Sequence, residues 1–263
     1  MGSKPARYRH SRVAVVVNGV PFLAKPEEST AYELGLKSVL LNKTLVLNAD
    51  IYLNNITNYQ QAVDVFDPYT TALNVQAGVN PPTAYVSTTG SAAKVHVKGL
   101  EVDALYTPVA YASLHFSGAY NDAIFYRFAN MGQPAENGNL TTPYRDVSGH
   151  RLPGAARYTF NVGADLRHPL YFVDNGADEV FLTFNTAYTS RFNSDNTGLS
   201  SYGWIHPHAI TDLTIGAGRI DRNFDISLLV KNLFDNTSPI AQTWDNYTPA
   251  PPRWIGVQFS GKL

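Results

Sequence analysis

Long runs of strict apolar–polar alternation constrain this chain more than any other feature. Leu45, Leu47, Ala49, Ile51 and Leu53 share one parity, while Asn48, Asp50 and Asn54 take the other. Tyr158, Phe160, Val162, Ala164 and Leu166 alternate with Arg157, Thr159, Asn161, Gly163, Asp165 and Arg167. Leu114, Phe116 and Tyr120 form a third set, Phe224 to Val230 a fourth, and Ile255, Val257 and Phe259 a fifth. A period of two means β-strands with one apolar and one polar face. Globular strands average about 5–6 residues, whereas a strand that crosses a bilayer needs about 9–11. The pattern predicts strands at 30–38, 44–60, 93–107, 112–128, 156–168, 179–193, 209–219, 223–235 and 253–263.

The joints between these strands alternate in length. Leu41-Asn42-Lys43, Pro108 and Ile220-Asp221-Arg222 are tight. His168 to Asp178 is intermediate, with Asp174-Asn175-Gly176 as its turn signal. Gln61–Ala92, Ala129–Ala155, Ser194–His208 and Asn236–Pro252 are long. An outer-membrane barrel has this asymmetry, with short periplasmic turns and long extracellular loops. The expected fold is therefore all-β: a transmembrane antiparallel up-and-down β-barrel of about nine to ten long strands.

Composition fits the same reading. Charged residues make up only 16% of the chain, aromatics 12%, and mean hydropathy is -0.18. A lipid-facing parity tolerates little charge, since Lys or Arg at mid-depth costs about 2–4 kcal/mol. The other parity faces water, which keeps mean hydropathy moderate. Aromatic girdles are expected at the two interfaces; the candidates are Tyr106, Tyr120, Phe125, Tyr158, Tyr171, Phe172, Tyr188, Phe192, Phe234 and Trp254. No apolar run is long enough for a membrane helix. A net charge of -1 argues against a nucleic-acid partner. Absence of cysteine removes disulfides, thiolate metal sites and thiol nucleophiles. In 93–107 the apolar parity flips near Gly99. Either a bulge restores the facing, or the outer end of the strand clears the membrane.

Several segments, in order, resemble the C-terminal part of the β-barrel of TonB-dependent outer-membrane receptors. They are Lys25-Pro26-Glu27 with Tyr32-Glu33-Leu34-Gly35-Leu36-Lys37, then Ile56-Thr57-Asn58-Tyr59-Gln60, then Val97-Lys98-Gly99-Leu100-Glu101-Val102. Gly149-His150-Arg151-Leu152-Pro153 follows, with Ala156 where the family usually has proline. Val230-Lys231-Asn232-Leu233-Phe234-Asp235 and Pro252-Arg253-Trp254-Ile255-Gly256-Val257 close the set. The resemblance implies a bacterial outer-membrane receptor for energised uptake of a scarce nutrient, foremost a ferric siderophore, in a barrel of 22 strands with a plugged lumen. Residues 25–263 then form the C-terminal barrel portion. Residues 1–24 are expected to be a leader, tag or truncated start, or to supply an extra strand. No plug domain or TonB box is recognisable, so TonB would be reached only through a plug outside this chain. The alternative is an autonomous small barrel, closing by itself, that acts as a passive pore or surface-binding protein.

The expected partners are outer-membrane lipid and a small-molecule ligand such as a ferric siderophore, with no resident cofactor or metal. Candidate ligand contacts in the outer loops are Tyr144, Arg145, His150, Arg151, Trp204, His206, Trp244 and Tyr247. Aromatic and cationic groups suit an anionic, partly aromatic chelate. Asp50, Glu101, Asp103, His115, Arg157, Asp165 and Arg167 are expected to face the lumen. No catalytic constellation is recognisable, and no enzyme activity is expected.

Overall fold

A computed structural model describes residues 15–17, 20–22, 24–138, 142–171, 177–221 and 223–261. Nine long strands follow one another as antiparallel neighbours: β1 (Glu28–Leu40), β2 (Leu45–Asp67), β3 (Ala84–Val109), β4 (Ala112–Arg127), β5 (Tyr158–Pro169), β6 (Asp178–Thr189), β7 (His208–Arg219), β8 (Phe224–Lys231) and β9 (Trp254–Gly261). Two short strands, Met131–Gly132 and Tyr144–Arg145, extend this sheet beside the upper part of β2. Among the described residues, Val15–Val17 and Val20–Phe22 pair with each other and not with the main sheet. Among the described residues β1 and β9 are open edges that do not meet. The chain thus forms an open arc of barrel wall, and a self-closed barrel of nine or ten strands is not what the structure shows. The expected turn Asp174-Asn175-Gly176 and Phe172 lie outside the described residues.

Register puts the two parities on opposite faces across the whole sheet. Leu34, Ile51, Leu100 and Tyr120 form one transverse row, and Leu114, Ala164, Phe184, Leu213 and Val230 another. Tyr52, Asp50, Glu101, His115 and Asp165 fall on the opposite face. Along β5, ten steps from Tyr158 to His168 cover about 33 Å, or about 25 Å in depth at a tilt near 40°. That matches the apolar band of an outer-membrane barrel. Tyr120 with Tyr158, 5.4 Å apart, and Phe160 with Tyr188, 4.6 Å apart, mark its upper rim on the apolar face. On the polar face, rings lie across glycines of the next strand. A Cβ on Gly99 would collide with the Tyr52 ring, and one on Gly163 with His115. These glycines let large side chains fold flat against the wall.

The lower turns are tight. Leu41, Asn42 and Lys43 all take positive φ, at 50°, 54° and 71°, and the Thr44 hydroxyl donates to the Leu41 carbonyl at 2.7 Å. The upper connections depart from expectation in three places. First, 61–92 is not a plain loop. β2 and β3 stay paired to Asp67↔Ala84, past an irregularity at Asn58, and the helix α1 (Pro68–Gln76) caps the hairpin. Asp67 starts that helix by accepting from the Tyr69 and Thr70 amides, with Pro68 at the first turn. Second, no bulge occurs at Gly99, since the ladder to β2 is continuous from Tyr106 to Val95. The parity flips because 128–138 and 142–147 fold over the inner face there. Val63, Ala93, Val95, Phe125, Phe128, Met131 and Val147 make a buried cluster, and Lys98 turns outward. Third, Phe125 belongs to that cluster rather than to a girdle, and Trp254 takes the polar-face parity opposite Lys231.

Candidate functional site

The buried cluster anchors the base of a vestibule built from three loop regions, 128–138 with 142–157, 190–207 and 232–253. Hydrogen bonds tie them together. Arg145 Nη2 donates to the carbonyls of Gly198 and Leu199 at 2.7 and 3.1 Å. Glu136 Oε1 accepts from the Ser200 hydroxyl and the Ser201 amide at 2.8 and 2.7 Å. Gln242 reaches from the third loop, its Nε2 donating to the carbonyls of Tyr202 and Trp204 at 2.6 and 2.8 Å. Gly149 and His150 pair with the backbone of Phe125, which hangs the segment 149–152 from the top of β4.

The first two of these loops line an open cavity of about 640 Å³. Arg145, His150, Arg151 and Trp204 line it, so it brings together four of the eight expected contacts. Arg191 lies over the Trp204 ring, 4.2 Å from its centre. Arg151 Nη2 donates to the Asn121 carbonyl at 3.0 Å. Burial and the neighbouring Arg157 pull its pKa below the usual guanidinium value, yet it stays cationic at neutral pH. Two buried polar atoms of residues lining the cavity, Arg145 Nε and Glu136 Oε2, have no hydrogen-bond partner. Leaving such atoms unpaired costs stability, so they mark local strain in the cavity wall.

The other four candidates lie apart. Tyr144 lines a second cavity of about 450 Å³ with Phe66 and Tyr85, whose rings meet edge-on. His206 is exposed, and its carbonyl accepts from His208 Nδ1 at 2.9 Å. Trp244 and Tyr247 are exposed on the third loop and line neither cavity. Among the described residues no three His, Cys, Asp or Glu side chains gather to hold a metal. Glu136, Phe192, Asn193, Leu199 and Ser201 also line the first cavity. Nothing in the local sequence marks Glu136, Asn193, Leu199 and Ser201, because only the inter-loop bonds bring them together, while Phe192 lines the cavity rather than a girdle.

The residues expected in the lumen mostly line the polar face. Asp50 lies directly opposite Glu101, and Asp103 is two positions along β3 from Glu101. His115 Nε2 is 3.2 Å from Asn185 Oδ1, and Thr183 donates to Asp165 at 2.8 Å. Arg167 pairs with Glu179 and lies over Phe181. Arg157 is placed differently. It bonds Asp122 at 3.4 Å, and Asp122 shares the outward parity of Tyr120.

Asp195 organises the second loop. Burial raises its pKa, but the Thr197 hydroxyl and the amides of Ser200 and Thr197 outweigh that and hold it below the usual carboxylate range. A depressed folded pKa adds stability that is present above the unfolded value, about 3.9, and is lost as pH falls through the folded one. Amide-exchange protection at Thr197 and Ser200, corrected for intrinsic rates, should therefore hold at neutral pH and collapse below about pH 3.9. Asp195→Asn should show low protection throughout, with no such acid transition.

The family model described as "TonB dependent receptor-like, beta-barrel" matches residues 2–233. A search of curated proteins gives no match. Among solved structures, the chain is similar to the ferric yersiniabactin uptake receptor FyuA from Yersinia pestis, with a TM-score of 0.61 at 16% identity over 88% of this chain. It is similar to BauA, the ferric preacinetobactin receptor from Acinetobacter baumannii, with a TM-score of 0.57 at 14% identity over 93%. It also resembles the copper transporter OprC, with a TM-score of 0.56 at 15% identity over 90%. The chain spans 29%, 31% and 31% of those three chains respectively.

Proposed function

The chain belongs to the TonB-dependent receptor β-barrel family, whose barrels lie in the bacterial outer membrane, and from that premise we propose that it is the C-terminal barrel portion of a receptor for uptake of a ferric siderophore. The vestibule cavity carries the reading. It is cationic and aromatic, it is lined by two of the long loops, and it sits at the upper end of the polar wall. Ferric chelates are commonly anionic, with flat conjugated ligand arms. Arg151 and His150 would supply charge and hydrogen bonds, and Trp204 a stacking face. By their descriptions FyuA is a ferric yersiniabactin uptake receptor, BauA a ferric preacinetobactin receptor and OprC a copper transporter, so an iron chelate is the first cargo to test. Energy would come from TonB through a plug contributed by a further part of the receptor. The chemistry needed here is binding and release, so no catalytic residue is assigned.

The test is equilibrium binding of a panel of ferric catecholate, ferric hydroxamate and ferric citrate probes to the detergent-extracted receptor. At least one probe should quench tryptophan fluorescence saturably. His150→Ala/Arg151→Ala should weaken it by about tenfold or more, the scale of losing one or two charge-assisted hydrogen bonds. Saturable binding of free copper, with no response to any ferric chelate, would refute the siderophore assignment.

A further inference from the structure

Just above the aromatic rim, the outward face changes character. From Leu100 to Tyr106 on β3, Ala112 to Tyr120 on β4 and Tyr158 to Leu166 on β5, the outward parity carries no Asp, Glu, Lys or Arg. One pair higher, Lys98 and Arg157 bracket Asp122 at 3.7 and 3.4 Å. Their side chains are 65% and 45% exposed, against 17% for Asp122, so the cations project past the acid. Next come His96 and Tyr126, whose rings stack at 4.2 Å. Higher still, Lys94 lies directly opposite Arg127, and both are exposed. Asp146 on the following loop is the acid that feels Arg127. Cations directly opposite one another across a ladder repel. Four of them against two carboxylates, Asp122 and Asp146, leave this surface short of an anion.

We propose that this patch is a docking site for a phosphorylated lipid headgroup of the outer leaflet. Its position supports that partner. The patch is on the lipid-facing parity rather than the vestibule, and it begins one residue pair above Tyr120 and Tyr158, where headgroups start. Aromatic rings at that depth anchor the wall, and each Lys or Arg near an anionic surface contributes attraction that falls off within a Debye length. Lys98 and Arg157 would grip one phosphate, and Lys94 and Arg127 a second. The stacked His96–Tyr126 pair would give sugar rings an apolar platform. The proposal rests on the family's place in the membrane, not on the siderophore reading, so either can fail alone.

The probe is diphosphoryl lipid A, compared with the same lipid after phosphate removal. Each is added to the detergent-extracted receptor and followed by native mass spectrometry. The intact receptor should hold the phosphorylated form at least about tenfold better. Lys98→Ala/Arg157→Ala and Lys94→Ala/Arg127→Ala should each erase most of that preference, while the binding of ferric probes by Lys94→Ala/Arg127→Ala stays unchanged. Asp122→Asn should strengthen binding, a sign that misfolding would not produce. Millimolar inorganic phosphate should displace little. Equal retention of both lipids, equal binding by both double variants, or full displacement by inorganic phosphate would overturn the headgroup assignment.

Discussion

Replacing Phe125 with alanine is expected to cost about 3–5 kcal/mol and to open the vestibule. The Phe125 side chain is fully buried, its ring 5.2 Å from Phe128 and 6.3 Å from Tyr59. Truncation leaves a void among Val95, Met131 and Val147, which the rigid ladder beneath cannot close. The damage would spread to the site. The Phe125 amide donates to the His150 carbonyl at 2.9 Å, and its carbonyl accepts from Gly149 at 2.7 Å. Those bonds hang 149–152, with His150 and Arg151, on the top of β4. The expected readings are faster amide exchange across 128–138 and 142–152 and weaker binding of ferric probes, while the lower strands keep their protection. Phe125→Leu, which keeps much of the volume, should lose distinctly less. Uniform protection in the alanine variant would mean that the cluster does not hold the loops.

Phe125 also shows where sequence reading succeeds and where it stops. The strands β4 to β9 are legible because one rule, alternate facing, governs each residue on its own. The registers Leu114↔Ala164 and Phe184↔Leu213 follow from matching parities. Above the membrane that rule lapses, because a strand there faces protein or water rather than lipid. Phe125 therefore reads as a girdle residue by parity alone, although a loop residue, Val147, buries it from above. The run 61–92 looks like a polar loop for the same reason. Covering of its inner face by a loop removes the lipid alternation, while backbone pairing between Val63 and Thr88 survives without it. For the cavity, side-chain chemistry picks out Arg145, His150, Arg151 and Trp204. It cannot foresee Glu136, which meets Ser200 and Ser201 only through folding across 64 and 65 residues. Arg157 lies at the boundary: its parity continues the polar face of β5, but it precedes the strand and turns to Asp122.

Facing within the membrane band can be tested with one residue type at two adjacent positions. Val162→Arg is expected to destabilise the folded wall by about 2–4 kcal/mol, and Asn161→Arg by less than about 1 kcal/mol. Val162 is on the outward parity between Phe116 and Thr186, midway between Tyr158 and His168. A guanidinium there must be buried in hydrocarbon or drag water inward. Asn161 is on the inward parity between Ser117 and Ala187. It borders a polar recess of about 370 Å³ that also contains Glu101 and Asp103. An arginine at 161 would point into water and toward those two carboxylates, which offsets most of the change. Urea unfolding midpoints in lipid vesicles give the comparison, since detergent would soften the lipid-facing penalty. Equal losses at both positions would remove the distinction between a lipid face and an aqueous face. The lumen assignments of Asp50, Glu101, Asp103 and Asp165 depend on that distinction, and so does the outward placement of the Lys98–Arg157 patch.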